Sequence, residues 1–125
     1  MSKQLIELVL PRLARPLHRQ LRRYRAGQWD EAQFTECFEK LLRRQHTWLT
    51  SRGVPHVHAA LTIHGAVLVL SRPGLRAEAA ESELPLEVVE FRAVKEAAAD
   101  VAHNYGISEK KATRIIGAIV AKYSE

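Results

Sequence analysis

Apolar side chains recur at steps of three and four along most of this chain, the period of an α-helix that buries one face. Leu10, Leu13, Leu17, Leu21 and Tyr24 form the first such stripe, within a helical segment from Ser2 to Ala26. Pro11 and Pro16 interrupt it. Each lacks an amide donor and crowds the preceding turn, so the pattern predicts a short helix and then a basic helix starting near Pro16, together spanning residues 3–26. Gly27 ends this region, and Asp30 with Gln33 three residues on reads as a capping box opening a helix over 31–50. Trp29 and Phe34 stand where a hydrophobic staple would clamp its entry. Phe34, Cys37, Phe38, Leu41, Leu42, Trp48 and Leu49 supply its apolar side, and Gly53, Val54 and Pro55 its stop.

Residues 55–71, PHVHAALTIHGAVLVLS, are apolar nearly all round. They read as a central buried helix, or as a hairpin turning at His64-Gly65. The helical neighbourhood favours the helix, because an isolated hairpin is marginal. Arg72-Pro73-Gly74 ends the element in either case, and the acidic, Ala-rich residues 75–84 form a short helix or a loop. A helix over 85–104 carries Val88, Phe91, Val94, Ala98, Val101 and Ala102 as its stripe. Gly106 breaks it, and Ser108 caps a last helix reaching Tyr123. Residues 1–125 thus read as one all-α domain, a compact bundle of about five helices ending in a helix-turn-helix-like pair over 85–123. Its expected core is Trp29, Phe34, Phe38, Leu41, Val67, Leu68, Phe91, Val94, Ile115 and Ile119.

Composition narrows the class. At 125 residues, 46% hydrophobic and 26% charged, the chain is an ordinary globular one. No apolar run approaches the roughly 18–20 residues that span a bilayer, and the N-terminus lacks a signal-peptide pattern. The single cysteine, Cys37, fits a reducing compartment, and a cytoplasmic location is expected. On a helix with apolar neighbours, it reads as a buried structural thiol rather than a nucleophile. The net charge of +5 is uneven. Residues 1–56 hold 11 Lys/Arg against 5 Asp/Glu, and residues 57–125 hold 8 against 9. A basic half calls for an anionic partner or serves as a solvated surface.

Two stretches carry candidate chemistry. In the last helix Ala112, Ile115, Ile116, Ile119, Val120 and Tyr123 share one face, while Lys110, Arg114, Gly117 and Ala121 lie on the other. The preceding corner places Ala102 four residues before Gly106, followed by Ile107 and Ser108. Ala102 permits close helix crossing, Gly106 suits a left-handed turn, Ile107 fills the space between the helices, and Ser108 caps the next one. With Ala112 and Ile115 in register, residues 98–120 resemble the helix-turn-helix DNA-binding superfamily. The resemblance implies that Ser108, Glu109, Lys110, Thr113 and Arg114 face a major groove, with Lys111 adding charge to the same turn. The letters also resemble a helix-hairpin-helix, with Ser108 in place of its second glycine. The bland alternative is a structural corner.

The second stretch is RLARPLHRQLRRYR, residues 12–25, within a run from Leu8 to Trp29 that has no carboxylate. Arg12, Arg15, Arg19, Arg22 and Arg23 recur along it, and planar guanidinium forks suit phosphate or carboxylate. It would track a nucleic-acid backbone, or dock on an acidic protein or on the chain's own Glu78–Glu90. Few aromatic anchors argue against a membrane surface.

His56, His58 and His64 lie close in sequence but lack a carboxylate or cysteine to complete a metal shell, so no metal and no cofactor is expected. No linear enzymatic constellation emerges. The expectation is a small, basic, non-catalytic nucleic-acid-binding protein, with DNA favoured over RNA. It would use the C-terminal helix pair and the Arg-rich helix. The alternative is a protein-interaction or assembly subunit, in a homo-oligomer or larger complex, whose corner is purely structural.

Overall fold

A computed structural model describes the backbone of residues 2–123 and the side chains of residues 5–123. Among the described residues there are six helices and no strand: α1 (Ser2–Arg25), α2 (Glu31–Thr50), α3 (His56–Leu70), α4 (Arg72–Ser82), α5 (Leu86–Tyr105) and α6 (Glu109–Tyr123).

The first difference from the sequence reading is α1, which runs unbroken through Pro11 and Pro16. Its inward positions, Ile6, Val9, Leu13 and Leu17, keep a helical step past both prolines and are buried. Pro11 faces solvent and Pro16 is half-buried, so each ring sits off the most deeply packed line. Burial of that line outweighs two lost amide bonds, each interior proline costing about 3 kcal/mol in helix propensity. Leu10 and Leu21 flank the stripe half-buried, and Tyr24 is exposed.

The capping box predicted at the start of α2 is present. Asp30 Oδ1 accepts from the Gln33 amide at 2.8 Å, and Gln33 Oε1 accepts from the Asp30 amide at 3.0 Å. Phe34 stacks between Tyr24 and Phe38, with ring centroids 5.0 and 5.9 Å away. The helix ends with the Val54 amide reaching back to the Leu49 carbonyl and the Gly53 amide to that of Thr50. Gly53 takes φ +88° to make this possible.

Residues 56–70 are a helix, which decides the helix-or-hairpin question. A helix apolar all round must be covered all round, and α3 packs on α1, α2, α5 and α6. Its Ala59, Ile63 and Ala66 join α1, α2 and Ile119 of α6 in one core cluster. Ala60 and Leu61 join Val94, Ala98, Val101, Ala112, Ile116 and Val120 in a second. Gly65 faces α6, where a Cβ would stand 2.8 Å from Ile119 Cγ2.

The 55–71 element ends before Arg72 as expected, and Arg72-Pro73-Gly74 then opens α4. The acidic segment, expected as a helix or a loop, is therefore a helix, which accounts for the sixth among the described residues. Proline is tolerated in a first turn because its missing amide has no intrahelical partner there. Arg72 Nε lies 3.2 Å from Glu90 Oε2, tying α4 to α5. At its front α5 turns Val89 and Glu90 inward. Val88 and Phe91, expected on the stripe, turn outward, 38% and 57% exposed. Phe91 is not a core residue. Trp29, Phe34, Phe38, Val67, Leu68 and Ile115 are half-buried, whereas Leu41, Val94 and Ile119 are buried as expected.

Candidate nucleic-acid interface

The arginine stretch does not stand alone on α1. Arg12 Nε donates to Gln45 Oε1 at 2.7 Å, and Gln20 Nε2 donates to the Cys37 carbonyl at 3.3 Å. Rising numbers on α1 thus meet falling numbers on α2, and the two helices are antiparallel. Between them runs a cleft of about 190 Å³ whose lining includes Arg19, Gln20 and Arg23 of α1, Cys37 and Arg44 of α2, and Trp29. Arg44 also borders the neighbouring hollow beside Arg12, Trp48 and Ser51. The Arg12 guanidinium stacks on Trp48 at 3.8 Å from the ring centroid, and Arg52 on the same indole at 4.2 Å. Arg23 lies 5.2 Å over Trp29.

Five guanidiniums, those of Arg12, Arg19, Arg23, Arg44 and Arg52, therefore share the α1–α2 face. Among the described residues none of them pairs with a carboxylate; the ion pairs there are Lys40–Glu36 and Arg72–Glu90. Glu90, within the acidic stretch considered as a cover for α1, engages Arg72 of α4. Arg15 and Arg22 point outward and are exposed. Such a face concentrates positive potential with planar donors, which suits phosphate oxygens.

Arg44, Trp48 and Arg52 were absent from the sequence-derived site. Their spacing of four, a cation, an aromatic and a cation along one helical line, was the available signal. The partnership with Arg12 joins residues 33 apart in sequence, and helical periodicity does not reveal such a pair. Cys37 is half-buried in the cleft wall rather than fully buried.

The α5–α6 corner has the local geometry its sequence implies. Gly106 takes φ +68° and its amide bonds the Ala102 carbonyl, while Ser108 Oγ accepts from the Lys111 amide at 3.2 Å. Ala112 is buried, and Ala102 and Ile107 are half-buried. Ser108, Glu109, Lys110, Lys111 and Arg114 are exposed and Thr113 is half-buried. Arg114 borders an apolar hollow with Ile6, Ile115, Ala118, Ile119, Lys122 and Tyr123. Burial, then the Glu7 carboxylate that accepts its hydrogen bond, raises the Tyr123 phenol above its ordinary pKa.

The two basic stretches are not brought together. At about 100° per residue, Glu7, which meets α6, lies roughly 120–160° around α1 from Arg12, Arg19 and Arg23. The side of α1 that meets Tyr123, in the last turn of α6, is therefore not the side that carries the arginine cleft.

Histidine chemistry also rearranges. His56 pairs with His46 of α2, Nδ1 to Nε2 at 2.9 Å, and His46 stacks on Tyr105 with centroids 6.1 Å apart. Burial, then the neighbouring His56, lowers the His46 pKa. Burial lowers that of His64, and Asp100 opposes the shift. Among the described residues no group of three His, Cys, Asp or Glu side chains is placed to hold a metal ion. No helix among them is long and apolar enough to cross a membrane.

No known family model, curated protein or solved structure matches this chain.

Proposed function

We propose that this chain is a non-catalytic nucleic-acid-binding protein whose principal contact is the α1–α2 arginine face. The observation that carries the reading is the convergence of Arg12, Arg19, Arg23, Arg44 and Arg52 on one surface without carboxylate partners among the described residues. An unneutralised row of guanidiniums repels itself, and phosphates relieve that repulsion while releasing counterions. The helix-turn-helix-like corner, with Lys110, Lys111, Thr113 and Arg114, is a secondary surface.

Mobility shift on duplex and single-stranded DNA across salt tests this. Five phosphate contacts give a slope of log affinity on log salt of about −4.5 on duplex DNA. The triple substitution Arg19→Ala, Arg23→Ala, Arg44→Ala lowers its magnitude by about three. Arg114→Ala weakens binding less. Absence of binding by the folded protein at about 50 mM salt would sink the proposal.

A second reading, an assembly subunit, draws on Val88 and Phe91, exposed three residues apart on α5. Mass in solution distinguishes the two. A concentration-dependent oligomer broken by Phe91→Ser, with no affinity for nucleic acid, favours assembly.

A further inference from the structure

We infer, resting on the reading above, that the arginine face grips the phosphodiester backbone and ignores the bases, because Trp48 serves as a platform for guanidinium groups. An aromatic residue in a basic groove ordinarily offers its π-face to a nucleobase, and stacking of this kind anchors single strands. Trp48 does not offer one. Arg12 reaches it from α1 at 3.8 Å, and Arg52 reaches it from the turn after α2 at 4.2 Å. The rest of the half-buried indole packs against the core cluster. Trp29 carries Arg23 in a looser version of the same arrangement, at 5.2 Å.

The stacking sets what Arg12 presents. Its Nε is consumed by Gln45, itself 3% exposed and fixed within the helix pair. The donors left are those of the two terminal nitrogens, a planar edge that matches two oxygens of one phosphate. A guanidinium already held over an indole and tethered through its Nε loses less freedom when it captures a ligand than a free one does. Trp48 is therefore a positioning residue, and affinity scales with the number of phosphates rather than with base identity.

The test is fluorescence anisotropy of the full chain with two end-labelled strands of equal length. One is oligo(dT), and the other is an abasic strand with the same phosphates. The expected result is equal affinity and equal salt slope for both, with Arg52→Ala weakening both alike. The inference is overturned if the abasic strand binds roughly tenfold more weakly, as loss of base stacking would require. It is equally overturned if Trp48→Leu weakens binding to oligo(dT) and leaves the abasic strand unaffected, because the indole would then be a base platform in the native protein. Failure of the folded protein to bind either strand overturns the nucleic-acid reading itself, and this inference with it.

Discussion

Gly65 shows how much one side chain decides. It lets α6 lie against α3, and a Cβ there would stand 2.8 Å from Ile119 Cγ2, 2.9 Å from Cδ1 and 3.1 Å from Cβ. Because the last of these is fixed to the backbone, rotation of Ile119 alone cannot clear the space. Gly65→Ala is expected to destabilise by about 1–3 kcal/mol as an overpacked core does. The cost should shrink when Ile119 is first cut to alanine. A double-mutant cycle from urea unfolding checks this, and additive costs would contradict it. His64 makes a second prediction at this scale. Its folded-state pKa is lowered by burial, with Asp100 in partial opposition, so the unfolded chain takes up a proton first as pH falls. Stability is therefore complete above about 6.5, the ordinary histidine value. It is lost as pH falls toward the lowered value, and His46 contributes in the same direction. Urea midpoints at about pH 7.5 and 5.5 should fall for the native chain and fall less for His64→Gln. An equal fall in both would remove His64 from the account.

At the scale of elements, what was legible in the sequence was local. The Asp30–Gln33 box, the left-handed glycines at 53 and 106 and the Ser108 cap each depend on residues within a few positions of one another. All have their expected geometry. The failures came where tertiary burial outweighed local propensity. Two prolines argued for a broken α1, yet the buried line Ile6, Val9, Leu13 and Leu17 holds it together. At the front of α5, Val89 is buried and Glu90 meets Arg72, which leaves Phe91 on the outside. If packing sustains α1 against its prolines, relieving one should strengthen it. Pro11→Ala restores an amide for the Glu7 carbonyl and removes a solvent-facing ring, so it should stabilise by about 1–3 kcal/mol. Thermal unfolding monitored by circular dichroism reads the change, and a lowered midpoint would show that Pro11 contributes something its exposure does not reveal.

At the scale of the whole molecule, the candidate site was half legible. The charge run on α1 was plain from composition and spacing. Its counterpart on α2 was not, because the cleft exists only once Arg12 meets Gln45 and Gln20 meets Cys37 across the antiparallel pair. The corner that resembles a helix-turn-helix was the most conspicuous motif in the chain, and its capping accounts for much of it. The guanidiniums of the α1–α2 face, which have no carboxylate partner among the described residues, are a stronger claim to a ligand. The most direct measurement is a heteronuclear NMR titration of the labelled protein with a short DNA strand, following backbone amides and arginine Nε–H groups. The account predicts that the largest shifts fall at Arg12, Arg19, Arg23, Arg44 and Arg52 and on the Trp48 indole. Shifts confined to Lys110–Arg114 or to Val88–Phe91, with the arginine resonances unmoved, would contradict it.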